Sequence, residues 1–232
     1  MRYIVSRWGY STGIGVIELQ NEINGQFPNS DVGRYQWQDE MASYIKNDLE
    51  SNHLVAVSYA GNPKKHIIKG DDSYSSPWVD VITFNYYNRP NYRKILKEQI
   101  DEYSNYKKPF LYAEIGISDD LAHCDNNIEW IKDIWITPFI GSAGMGLNWH
   151  EQHNYELWEN YSLVQSFLSN LNLDKFSSIQ YDRRNDRRAE MFCRVNKNEN
   201  KAIGVISNTR WNFWTKGNGG DCNEKDDAFG LI

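Results

Sequence analysis

Short apolar runs in this sequence finish on groups that could do chemistry. The run from Ile14 to Asn21 ends on Asn21-Glu22, and His53 to Ser58 is followed by Tyr59. Val79 to Tyr87 ends on Asn85-Tyr86-Tyr87, Phe110 to Ile115 carries Glu114 near its end, and Met145 to Trp149 closes on Asn148-Trp149 before His150. Two carboxyl groups about 5–5.5 Å apart are the equipment of retaining glycoside hydrolysis: one protonates the departing oxygen and the other attacks the sugar carbon. An amide beside the acid can hold the neighbouring ring hydroxyl. A tyrosine hydroxyl can keep a carboxylate ionised and oriented, and a tryptophan offers a flat apolar face to a sugar ring. No one of these types is specific. A Glu at a strand end is more often a surface or ion-paired residue than a catalyst, and a Trp or Tyr there is commonly core or rim packing.

These residues need elements to position them. In "GVIELQNEIN", residues 15–24, Glu18 and Glu22 share a face whether the segment is a helix or a strand. The run is short and is bounded by Gly13 and by Asn24-Gly25, so it reads as a buried strand. Glu18 then lies inside the strand as a structural carboxylate, and Glu22 lies just past it. The other four runs read as strands too. Amphipathic helices separate them at about 34–51, 92–103, 128–140 and 155–171. The first of these carries Trp37, Met41, Tyr44, Ile45 and Leu49 at helical spacing, with Ser30 or Asp31 as its cap. The stretch 60–78 reads as a loop, and the residues up to Trp8 as the last turns of a helix. Strands alternating with helices specify the α/β class, with a parallel sheet that is either doubly wound or closed into a (β/α) barrel. In both architectures ligands bind at the carboxyl ends of the strands, where the residues above fall. From about Leu173 the pattern changes to β-like runs at 178–181, 189–195, 201–207 and 211–215, an all-β module that runs into a polar stretch at 217–227.

Composition excludes several classes. A net charge of −6, with no basic run beyond Arg183-Arg184 and Arg187-Arg188, argues against nucleic acid. No stretch approaches the ~20 apolar residues of a membrane span, and no signal peptide follows Met1. Cys124, Cys193 and Cys222 show neither metal spacing nor a disulfide framework. His150-Glu151-Gln152-His153 is not the H-E-x-x-H of zinc helices, so no metal is expected. Asn160-Tyr161-Ser162 matches a glycosylation sequon by chance, mid-helix. Gly217-Asn218-Gly219-Gly220 follows none of the α/β strands, which leaves a nucleotide-binding reading poorly supported.

Taken in order, these segments resemble the cellulase-like (β/α)8 barrels of glycoside hydrolase clan A, family 5 and its relatives above all. "ELQNEIN" resembles the fourth-strand motif of that family, which implies Glu22 as acid/base and Asn21 as the amide beside it. "FLYAEIG" resembles the seventh-strand motif and implies Glu114 as nucleophile. "TFNYYN" resembles the sixth-strand pattern, often His-x-Tyr, which sets Tyr87 against the nucleophile and puts Asn85 where a His is common. "GMGLNWHEQ" resembles the eighth strand, with Trp149 as a sugar platform. The resemblance covers about residues 1–172 and implies an incomplete barrel as catalytic domain, with a partial, sandwich-like β module at 173–232. It implies a retaining hydrolase that cuts a β-linked oligo- or polysaccharide, a glucan or a mannan, by double displacement and without a cofactor. On this reading the first three barrel strands are not in the chain. The expectation is then a fragment of weak stability and little hydrolysis alone, from a parent that is extracellular or periplasmic. The alternative is a non-catalytic carbohydrate-binding remnant that keeps Trp149 and the tyrosines as contacts.

Overall fold

The computed structural model describes residues 1–26, 31–62, 64–67, 69–87, 92–116, 126–149, 155–176, 178–182, 189–208 and 229–231. In chain order the first elements are α1 (Arg2–Trp8), β1 (Val16–Glu18), α2 (Ile23–Gln26), α3 (Asp31–Ser43), β2 (Leu54–Ala60), α4 (Lys64–Ile67) and β3 (Val81–Tyr87). There follow α5 (Tyr92–Tyr103), β4 (Phe110–Gly116), α6 (Asn126–Ile140), β5 (Met145–Leu147) and α7 (Tyr155–Ser169). The chain continues with β6 (Ser178–Asp182), β7 (Ala189–Asn196), β8 (Lys201–Asn208) and β9 (Phe229–Leu231). Ser30, the two Arg pairs, Cys124, Cys222, His150 to His153, and the expected runs at 211–215 and 217–227 lie outside the described residues.

The α/β class and the parallel sheet hold. One sheet has the order β1-β2-β3-β4-β5, and a second, antiparallel sheet has the order β6-β7-β8-β9. Strands β1, β2 and β3 run parallel, with Glu18 opposite Ala56, Ser58 opposite Thr83 and Ala60 opposite Asn85. Two expected strands are shorter than their apolar runs. β1 stops at Glu18, and just past it Leu19 N–H donates to Ala56 O at 3.1 Å. β5 stops at Leu147, two residues before Trp149. The stretch 60–78 is not all loop: it holds α4 and a 3₁₀ turn at Ser73–Ser75. Among the described residues no helix is long and apolar enough to cross a membrane.

The chain divides into two compact units. The first comprises Met1–Tyr86 and Glu102–Ala113. Its centre is β2 and β3, whose runs are buried on both faces, as in covered parallel sheets. Phe84, fully buried, meets the rings of Tyr74, Tyr103 and Phe110 at 5.7, 5.1 and 4.7 Å, each edge to face. Such pairs add about 0.5–1.5 kcal/mol beyond burial. Helix α3 runs on as a π-turn, Tyr44–Asp48, and its inward face differs from expectation. Trp37 is 40% exposed, while Arg34, Gln38, Ala42 and Ile45 are buried. Arg34 Nε donates to Asp71 Oδ2 at 2.9 Å, and Arg34 also pairs with Asp31. Gln38 Nε2 donates to Ser73 Oγ at 2.7 Å and to the Tyr59 hydroxyl at 3.1 Å, and that hydroxyl donates to Asp71 Oδ1 at 2.6 Å. Polar side chains can occupy the inward face because they hydrogen-bond one another. A periodicity that counts only apolar residues cannot register such a face.

The second unit comprises Tyr87–Asp101 and Glu114–Ile232. Here α6 contacts α7 and β5 as well as β6, β7 and β8. That cover explains why Trp130, Ile134, Ile136, Phe139 and Ile140 are all buried, so α6 is not the amphipathic helix the alternation predicts. The Tyr161 hydroxyl accepts from Trp130 Nε1 at 3.1 Å and donates to Gly146 O at 2.9 Å, which ties α7 to β5. Burial pushes that hydroxyl up to about 12. The turn between β7 and β8 is closed by Asn196 Oδ1, which accepts from the Asn198 and Glu199 N–H groups at 3.1 and 3.2 Å.

Candidate active site

The strand-end residues fall into two sets, one in each unit. In the first unit, Asn21 and Glu22 lie in a turn between β1 and α2. Glu22 has φ +46°, a left-handed conformation that costs a residue with a Cβ about 1–2 kcal/mol. The turn is held from several sides. Gly25 N–H donates to Glu22 O at 2.9 Å, and Ile23 is fully buried. Asn24 Oδ1 accepts from Ala60 N–H at 2.8 Å, and Asn24 Nδ2 donates to Ala60 O at 3.1 Å. Asn85 Nδ2 donates to Asn21 Oδ1 at 2.8 Å. Each such bond is worth about 1 kcal/mol net, so together they outweigh the backbone strain. Strain kept in place by its surroundings is a frequent mark of a functional site.

Glu18 sits within β1, as expected of a structural carboxylate. The Thr83 hydroxyl shares its one proton between Glu18 Oε2 at 3.1 Å and Val57 O at 2.9 Å. Asn85 is 1% exposed, so its amide acts on Asn21 rather than on solvent, and its Oδ1 has no partner among the described residues.

In the second unit, Tyr87, Glu114 and Trp149 come together. The Tyr87 hydroxyl donates to Glu114 Oε2 at 3.0 Å and accepts from Trp149 N–H at 2.9 Å. This is the contact the motif "TFNYYN" implies between a tyrosine and the Glu that ends the next strand. No protein-family model matches the chain, and no curated protein matches it. Asn148, 1% exposed, seats against the end of β4. A Cβ on Gly116 would come within 2.9 Å of Asn148 Cγ, so a residue without a side chain is needed there. Trp149 follows directly, with 55% of its surface exposed and available to a flat ligand.

A cleft of about 500 Å³ in the same unit, lined by Ile134, Pro138, Met145, Tyr161, Val164 and Leu168, lies at the opposite, amino end of β5. Its lining has no carboxyl group, so it is not where acid–base chemistry would run. Among the described residues no group of three His, Cys, Asp or Glu side chains could hold a metal ion. Asn24 is the residue the sequence did not single out. An Asn before a Gly reads as a turn former, and its partner is backbone 36 positions away.

Proposed function

We propose that the chain carries the acid/base and the nucleophile of a retaining β-glycoside hydrolase, Glu22 in the turn after β1 and Glu114 in β4, in an incomplete (β/α)8 barrel followed by a sandwich-like β module. The observation that carries the reading is the Tyr87 hydroxyl bonded to Glu114, with the exposed Trp149 held by the same hydroxyl. In the first step of that reaction the nucleophile, a role assigned here to Glu114, attacks the anomeric carbon, and the acid, a role assigned to Glu22, gives its proton to the departing oxygen. A glycosyl ester of Glu114 forms and the aglycone leaves as an alcohol. In the second step Glu22, now a carboxylate, takes a proton from water, whose oxygen attacks the same carbon and releases Glu114 with net retention. Asn21 holds the adjacent ring hydroxyl, Asn85 orients Asn21, and Trp149 stacks on a sugar ring. The chemistry runs on two carboxyl groups and water and calls for no cofactor. The substrate class is a β-linked glucan or mannan, and the reaction takes place outside the cell or in the periplasm.

The test is long incubation with 2,4-dinitrophenyl 2-deoxy-2-fluoro-β-cellobioside and with the corresponding β-mannobioside. The fluorine slows release of the ester, so one event per molecule suffices even where turnover is slow. One of the two reagents should raise the intact mass by a single glycosyl group, and Glu114→Gln should abolish the rise. No mass increase with either reagent would overturn the reading. The 55% exposure of Trp149 also favours a second reading, a carbohydrate-binding remnant. That reading gains if calorimetry detects oligosaccharide binding that survives Glu22→Ala and Glu114→Ala together while no label forms.

A further inference from the structure

The turn that carries Glu22 is attached to the sheet at both of its flanks by amide side chains. On one side Asn21 Oδ1 accepts from Asn85 Nδ2 at 2.8 Å. On the other, Asn24 makes a pair of bonds to Ala60, accepting from its N–H at 2.8 Å and donating to its O at 3.1 Å. Ala60 and Asn85 are register partners across β2 and β3. Gly61 N–H also donates to Asn85 O at 2.8 Å, so the two anchor points are themselves joined. The backbone leaves the ladder after Leu19, and Asn24 reattaches it to the last residue of the neighbouring strand. A primary amide can turn one of its N–H groups and its carbonyl oxygen toward the same strand edge, so this side chain holds the strand edge after the backbone has left the ladder. Between the anchors stands Glu22, in a left-handed conformation.

We infer that Asn24 is a positioning residue for the Glu22 carboxyl, acting through the backbone of Ala60 and not through substrate. The inference rests on the reading of Glu22 as the acid, and it makes a demand that a merely structural Asn would not. If Asn24 aims the acid, its loss should harm reactions that need a proton on the leaving group and spare those that do not.

The experiment compares the unaltered chain with Asn24→Ala and Asn24→Asp, the second keeping an acceptor for Ala60 N–H in case the first unfolds. Labelling rates are measured with 2-deoxy-2-fluoro-β-glycosides bearing 4-nitrophenolate and 2,4-dinitrophenolate. Asn24→Ala should slow labelling by the 4-nitrophenyl reagent at least about tenfold, within the range that general acids contribute, and change the dinitrophenyl rate much less. In parallel, carbon NMR follows the Glu22 carboxyl signal, assigned with Glu22→Gln. It should shift in both variants while circular dichroism keeps the fold of the unaltered chain. Equal slowing with both leaving groups, or an unmoved Glu22 signal in a folded variant, overturns the inference. If the unaltered chain is never labelled, the hydrolase reading falls, and the NMR comparison alone still decides whether Asn24 places the carboxyl.

Discussion

The Tyr87 hydroxyl donates a hydrogen bond to Glu114 and accepts one from Trp149 N–H, so removing it disturbs the carboxylate and the aromatic face together. A hydrogen bond to a charged group is worth about 1.5–3 kcal/mol, and Tyr87→Phe should therefore slow labelling of Glu114 by about 10- to 100-fold with the fold intact by circular dichroism. Trp149→Ala should act differently. Loss of a stacking face weakens oligosaccharide affinity in calorimetry by about tenfold, while the labelling rate at saturating reagent stays within about threefold of the unaltered chain. Glu114, Tyr87 and Trp149 fall at or near the ends of apolar runs, and the contact between Tyr87 and Glu114 is the one that the resemblance of "TFNYYN" and "FLYAEIG" implies. The Asn85 bond to Asn21 and the Asn24 bridge to Ala60 were not legible in the sequence. Both join side chains to partners far along the chain, and one of those partners offers only backbone atoms, which every residue has.

At the scale of the element, the largest departure from expectation is α3. Its apolar residues trace a helix correctly and Ile45 is buried, but Trp37 faces out, because the buried face of α3 also carries an ion pair and a network of amide and hydroxyl groups. Asp71 is fully buried, and its removal leaves the Arg34 guanidinium, 2% exposed, without that countercharge. Asp71→Ala should cost about 3–5 kcal/mol in urea unfolding, and replacing Arg34 by Met and Asp71 by Leu together should recover most of it. Equal loss in the single and double variants would show that the pair matters for shape rather than charge. The ends of β1 and β5 also fall short of their apolar runs. At β1 the neighbouring strand continues to Ala60, past the partner of Glu18, so the pairing stops because the backbone of β1 itself turns away toward Glu22.

For the whole molecule, alternation of apolar strands and helices was enough to specify the α/β class and the parallel sheet. It was silent on why α6 buries Trp130, Ile134, Ile136, Phe139 and Ile140 together, because cover from strands far along the chain leaves no periodic mark. The buried tyrosines make a prediction for global stability. Burial foremost raises the hydroxyls of Tyr59, Tyr74, Tyr103 and Tyr106, with neighbouring charged or ionisable groups adding to it. These groups stay protonated in the folded chain at pH values where the unfolded chain, with tyrosines near pH 10, loses their protons. Their contribution is thus fully present below about pH 10 and is lost as pH rises through the folded-state values. Burial lowers Lys108 and works in the opposite sense, but it is one group against four. Urea unfolding should show stability falling between pH 9 and pH 11, with tyrosinate absorbance appearing together with unfolding. A rise in stability over that interval would contradict the burial of the cluster.

The most direct test of the central claim is to locate the covalent label. After incubation with the 2-deoxy-2-fluoro-β-glycoside that raises the mass, proteolysis and tandem mass spectrometry should find the glycosyl ester on Glu114. A label on Glu18, on Glu22 or on a residue outside the strand ends, or no label at all, would contradict it.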